Sequence, residues 1–230
     1  MKNIIHFTDQ FSKVNSILNT SSLRLTYCQE VFCLGKEKVS SAAHPMVCFS
    51  EFDIDDLVKK TISYGRYGIV FSNEWVVKNK IHPILYIEKE STVASALAKL
   101  LKARQNSEVS DLPNDLRLPI MTIKCFTKNT VGENSFLGQK DFNFREECEW
   151  RFVPEKKDID YELISMNKST YLLNKDLYNN KLKPFPLLFE YNDIEKIFVT
   201  TELELNTISS AYNIDKKKIL MSKWNYNKTE

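Results

Sequence analysis

Glu147-Cys148-Glu149-Trp150-Arg151-Phe152 alternates charge and apolar bulk along its whole length. Successive side chains of a strand point to opposite faces. Cys148, Trp150 and Phe152 are therefore expected to face a core, with Glu147, Glu149 and Arg151 together on the other side. A carboxylate held on so rigid a shelf can stabilise developing positive charge, an effect worth roughly 10²–10³ in rate. The same pattern fits an amphipathic strand with a solvated outer face.

Further strands are predicted on either side of this one. The opening run Ile4-Ile5-His6-Phe7-Thr8 is β-prone, as are 46–52 (MVCFSEF), 68–72 (GIVFS), 84–88 (ILYIE), 121–126 (MTIKCF), 196–200 (KIFVT) and a last one near Ile219. Helices fall between them. Phe11, Val14, Ile17 and Leu18 have helical spacing, Asp53 precedes Ile54, Leu57, Val58 and Ile62, and Ser72 can cap a turn holding Trp75 and Val76. Ser91 starts the longest helix, with Val93, Leu97, Leu100 and Leu101 as its expected buried stripe, fading into a polar loop at 105–115. Thr201-Glu202-Leu203-Glu204 is a capping-box pattern opening a helix with Leu205, Ile208 and Tyr212 on one face. The segment 127–145 has few apolar anchors and is expected to cross the surface. Strands and helices mix irregularly, which points to an α+β fold in a single domain spanning 1–230.

The bulk composition is compatible with that. The 230 residues are 43% hydrophobic and 27% charged, with 32 basic and 30 acidic side chains and a net charge of +2. Such a chain can bury a core and is not wholly disordered, and its charge neither demands a polyanionic partner nor forbids one locally. Five cysteines without a CxxC pair suggest reduced thiols and no structural metal. The N-terminus lacks the apolar run of about 7–15 residues of a secretory signal, and no stretch reaches the ~20 apolar residues of a membrane span. A cytoplasmic location is the expectation.

Two other places invite a ligand. His6 shares a strand face with Ile4 and Thr8, where an imidazole can bond a sugar hydroxyl, although a lone histidine is commonly satisfied by a nearby carbonyl. Tyr64-Gly65-Arg66-Tyr67-Gly68 places two of the five glycines among aromatics just before a strand. Glycine allows close backbone approach to a ligand and tyrosine offers a stacking face, yet a helix stop and turn explain the segment equally. His44 and His82 each precede a proline and read as turn residues.

The ordered string IIHFT, FSKVNSILNTSSLRL, PMVCFSE, YGRYGIVFSNEW, HPILYI and ECEWRF resembles the AbiGi family of bacterial abortive phage-infection proteins, over most of the chain to about residue 155. The resemblance implies an antitoxin partnered with a nucleotidyltransferase-like toxin encoded nearby. More distantly, the order His6-Phe7-Thr8, helix, glutamate strand is similar to DarT-like ADP-ribosyltransferases. That likeness implies a mixed or antiparallel split sheet flanked by helices, and transfer of ADP-ribose from NAD to a nucleic-acid or protein acceptor. In it His6, Phe7 and Thr8 would hold NAD, with Phe49 and Ser50 on the middle strand and Arg151 beside them. The ring stacked on nicotinamide would be Phe49, Tyr64 or Tyr67. Glu149 would be the catalytic carboxylate and Glu147 would complete a Glu-x-Glu pair. The alternative is a non-catalytic antitoxin or sensor with the same fold. The NAD reading needs His6 and Glu149 to open into one pocket.

Overall fold

The structure, a computed structural model, describes residues 2–105, 112–134 and 137–226. Its centre is Tyr67–Phe71, a strand buried at every position, as expected of a continuous apolar run covered on both sides. Asn3–Thr8 and Ile194–Val199 flank it antiparallel. Across the sheet the order is Ile219–Met221, Ile194–Val199, Tyr67–Phe71, Asn3–Thr8, Glu37–Phe52, Glu149–Phe152 and His82–Pro83. The first two strands in that order run parallel, so the sheet is mixed and the fold is α+β.

Register decides which side chains meet. Ile5 pairs with Ser50, and Ser50 with Glu149, so these three share one face. On that face Ile5, Phe7, Phe52, Val70 and Phe198 pack beneath Leu57, Ile62 and Trp224. On the other, Ile4, Phe49, Ile69, Phe71 and Ile197 lie in the main core with Val14, Leu18 and Ile208. Val14 and Leu18 come from the helix Phe11–Thr20, at i, i+4 on its inner stripe. Ile208 comes from the helix Glu202–Tyr212, opened by the reciprocal Thr201–Glu204 capping box. The first half of Glu37–Phe52 carries the sheet into a hairpin with Thr26–Leu34. There Phe32, Val39 and Ile87 pack with the helix Thr92–Gln105.

Several sequence expectations change. Residues 121–125 are not a strand but the end of the helix Asn114–Cys125: buried Ile120, Met121, Lys124 and Cys125 follow the 3.6 period. After Asp53 only a single 3-10 turn forms, Leu57–Lys59. The long helix buries Ala94, Leu97, Ala98 and Leu101, leaving Val93 and Leu100 exposed. Of the polar loop assigned to 105–115, residues 106–111 lie outside the described residues. His44 sits buried within a strand rather than in a turn. Segment 127–145 crosses the surface only in part: Thr127, Asn129, Thr130 and Phe144 are buried, while residues 138–141 and Asn143 are exposed. Gly65 serves the backbone rather than a ligand: its φ is 145°, and a Cβ there would lie 1.9 Å from the Thr8 carbonyl oxygen.

Candidate functional site

Glu149 and Arg151 alternate with Trp150 on the outer part of the sheet, and the charged pair is the more buried. Arg151 is 0% and Glu149 6% exposed, while Trp150 is half-buried against the main core. The solvated polar shelf expected from the sequence is therefore an internal ion cluster. A buried guanidinium cannot shed its charge and needs all its donors satisfied. Arg151 Nε donates to Glu149 Oε1 at 2.7 Å and Nη2 to Glu149 Oε2 at 3.1 Å. Nη1 donates to the Cys125 carbonyl at 2.5 Å, and Nη2 also to the Glu30 carboxylate.

Glu147 lies on the 3-10 turn Phe144–Glu147, not on the strand. Cys148, in the left-handed region with φ 43°, turns the chain from one into the other. Lys128 joins the two carboxylates, with Nζ 2.8 Å from Glu147 Oε2 and 3.0 Å from Glu149 Oε2. It also stands 4.2 Å from the Phe144 ring centroid. The Tyr64 hydroxyl donates to Glu147 Oε1 at 2.5 Å. The Glu149 amide donates to the Tyr86 hydroxyl at 2.8 Å.

The electrostatics follow from these contacts. Burial pushes the Glu149 carboxyl up, but Arg151 and Lys128 outweigh it and hold the group at about 2. For Glu147 burial prevails over Lys128 and the value rises. Burial lowers Lys124, whose Nζ has no hydrogen-bond partner among the described residues. His44, also buried, falls to about 3 and stays neutral.

The residues expected to hold NAD divide between places. His6 and Phe49 touch edge to face at 5.7 Å, on the core side opposite Glu149. His6 Nδ1 lies 3.0 Å from the Cys48 carbonyl oxygen, and burial lowers its pKa. Imidazole 6 and carboxyl 149 therefore do not open into a shared cleft. Phe7 packs against Trp224 at 5.4 Å. Thr8 is buried and pairs with Tyr67. The Tyr67 hydroxyl donates to Glu204 at 2.9 Å, at the start of the last helix. Ser50, Tyr64 and Glu147 do come together, around a cavity of about 400 Å³ walled by Phe52, Ile62 and Phe142.

Sequence reasoning missed Lys128, Glu30 and Tyr86. Glu30 left a signal: Cys28, Glu30 and Phe32 occupy alternate positions of one strand, placing a carboxylate where an apolar residue belongs. Lys128 left none, since Thr127-Lys128-Asn129 is polar throughout.

A family model described as "Putative abortive phage resistance protein AbiGi, antitoxin" matches residues 21–200. No curated protein and no solved structure matches the chain. Among the described residues, no helix is long and apolar enough to cross a membrane.

Proposed function

Since the chain belongs to the AbiGi family, we propose that it serves abortive phage resistance as a non-catalytic antitoxin, binding and restraining a cognate toxin. The family match carries this reading, and the geometry supports it. The carboxylate best suited to catalysis is held by Arg151 and Lys128 inside the protein, and the histidine that would complete an NAD site lies on the other face of the sheet. Co-purification tests it. The chain and the toxin encoded beside it should elute as one complex, and Glu149→Gln protein that still folds should bind as wild type does. No complex, together with toxicity of the chain alone, would overturn the reading.

A second reading rests on the cavity shared by Ser50, Tyr64 and Glu147. In it the fold is ADP-ribosyltransferase-like and the cavity takes part of an NAD molecule, for transfer of ADP-ribose to a nucleic acid or protein. Calorimetric titration with NAD separates the two. Saturable heat abolished by Tyr64→Ala favours the second reading; absence of heat removes it.

A further inference from the structure

The cavity beside the ion cluster has a marked chemical bias. Asp141, Glu146 and Glu147 line it, and among the described residues no lysine, arginine or histidine does. Lys128 neutralises Glu147 from behind, but Asp141 and Glu146 are exposed at its margin. A phosphate entering there would meet the like charge of Asp141 and Glu146, while Lys128 is already engaged by Glu147 and Glu149.

A second observation is independent of the acids. Ser50 and Ser63 are 3% and 9% exposed, both line the cavity, and neither hydroxyl hydrogen-bonds another described residue. Neither Oγ is sealed away from the cavity space, so both hydroxyls offer acceptor and donor positions to whatever enters. A cationic N–H group suits them, since it donates to hydroxyl oxygens and to the carboxylates together. Phe52, Ile62 and Phe142 supply apolar surface for the methylene stem that carries such a group.

We propose that this cavity receives a guanidinium or ammonium group carried by an arginine or lysine side chain of the partner protein. The partner's identity as a toxin rests on the antitoxin reading; the preference for a cation rests on the cavity. Exposed carboxylates at the mouth, Asp141 and Glu146, are placed to meet a basic surface as the side chain enters.

Agmatine, a free guanidinium on a methylene stem, is the probe for the cavity, with AMP as the anionic control. Agmatine should bind saturably, about tenfold more weakly in Ser63→Ala, which loses one charge-assisted hydrogen bond. AMP should not bind. Absent agmatine binding, or AMP binding the tighter, overturns the cation preference. The second arm uses the toxin encoded beside the chain. Glu146→Lys, a reversal at an exposed position, should weaken the complex at least tenfold, and agmatine should compete with it. A toxin complex indifferent to both defeats the inference and leaves the antitoxin reading standing. Agmatine binding without any toxin complex does the reverse.

Discussion

Arg151 shows what one side chain demands of its surroundings. Its guanidinium is fully buried and accepts no neutral state, so Glu149, Glu30 and the Cys125 carbonyl are structural necessities. Removing one partner of a buried pair costs about 3–5 kcal/mol, because the other charge stays behind. Glu149→Ala should lower unfolding stability by that amount in urea titration, and Glu149→Gln, which keeps an acceptor, by less. A purely catalytic carboxylate would leave stability unchanged or raised. The pH dependence adds a second check. His44 takes up a proton near 6.5 when unfolded and near 3 when folded, and Glu149 titrates near 4.5 unfolded and about 2 folded. In both windows the unfolded chain binds more protons, so these two groups make stability fall as pH drops from 6.5 toward 2, against the opposite contribution of Glu147, whose value is raised on folding. His44→Phe should flatten the upper part of that slope, seen in denaturation midpoints between pH 6.5 and 4.5. The Glu149–Arg151 pair was legible in the sequence because both lie in one strand. Its burial was not: Glu30 is 121 residues away from Arg151, and Lys128 comes from a segment with no apolar pattern.

At the level of elements, local chemistry wrote some features plainly. The Ser72 and Thr201 caps formed as read, since capping needs only neighbours within one turn. Residues 121–126 read as a strand because Thr122 and Ile123 are β-prone, while the helical burial of Ile120, Met121, Lys124 and Cys125 is a tertiary fact. Gly65 fits the turn reading of its segment rather than the ligand reading. A methyl group there would strike the Thr8 carbonyl in a conformation with φ 145°, whereas Gly35, with φ 54°, has open space around it. Gly65→Ala should therefore cost about 3 kcal/mol or more, and loosen the Trp224 indole, which donates to the Gly65 carbonyl at 2.9 Å. Gly35→Ala should cost only about 1–2 kcal/mol, the strain of the left-handed region alone. Equal effects of the two changes on the urea midpoint would contradict this.

For the whole molecule, the decisive quantity is strand register. A single-residue offset in parity separates His6, beside Phe49, from Glu149, beside Ser50, and so puts them on opposite faces. Alternation along each strand is readable from the sequence; the alignment between strands is not, because it is set by the long-range pairings of Ile5 with Ser50 and of Ser50 with Glu149. The α+β class and the family likeness therefore survived, while the shared His6–Glu149 pocket did not. What stands in its place is a protein whose strongest charges hold it together and whose remaining acidic cavity faces outward. Growth of cells expressing this chain, alone and with the toxin proposed as its partner, tests that account most directly. It predicts normal growth with the chain alone, rescue from the toxin by the wild type, and equal rescue by folded Glu149→Gln. Growth arrest caused by the chain alone and abolished by Glu149→Gln would contradict it.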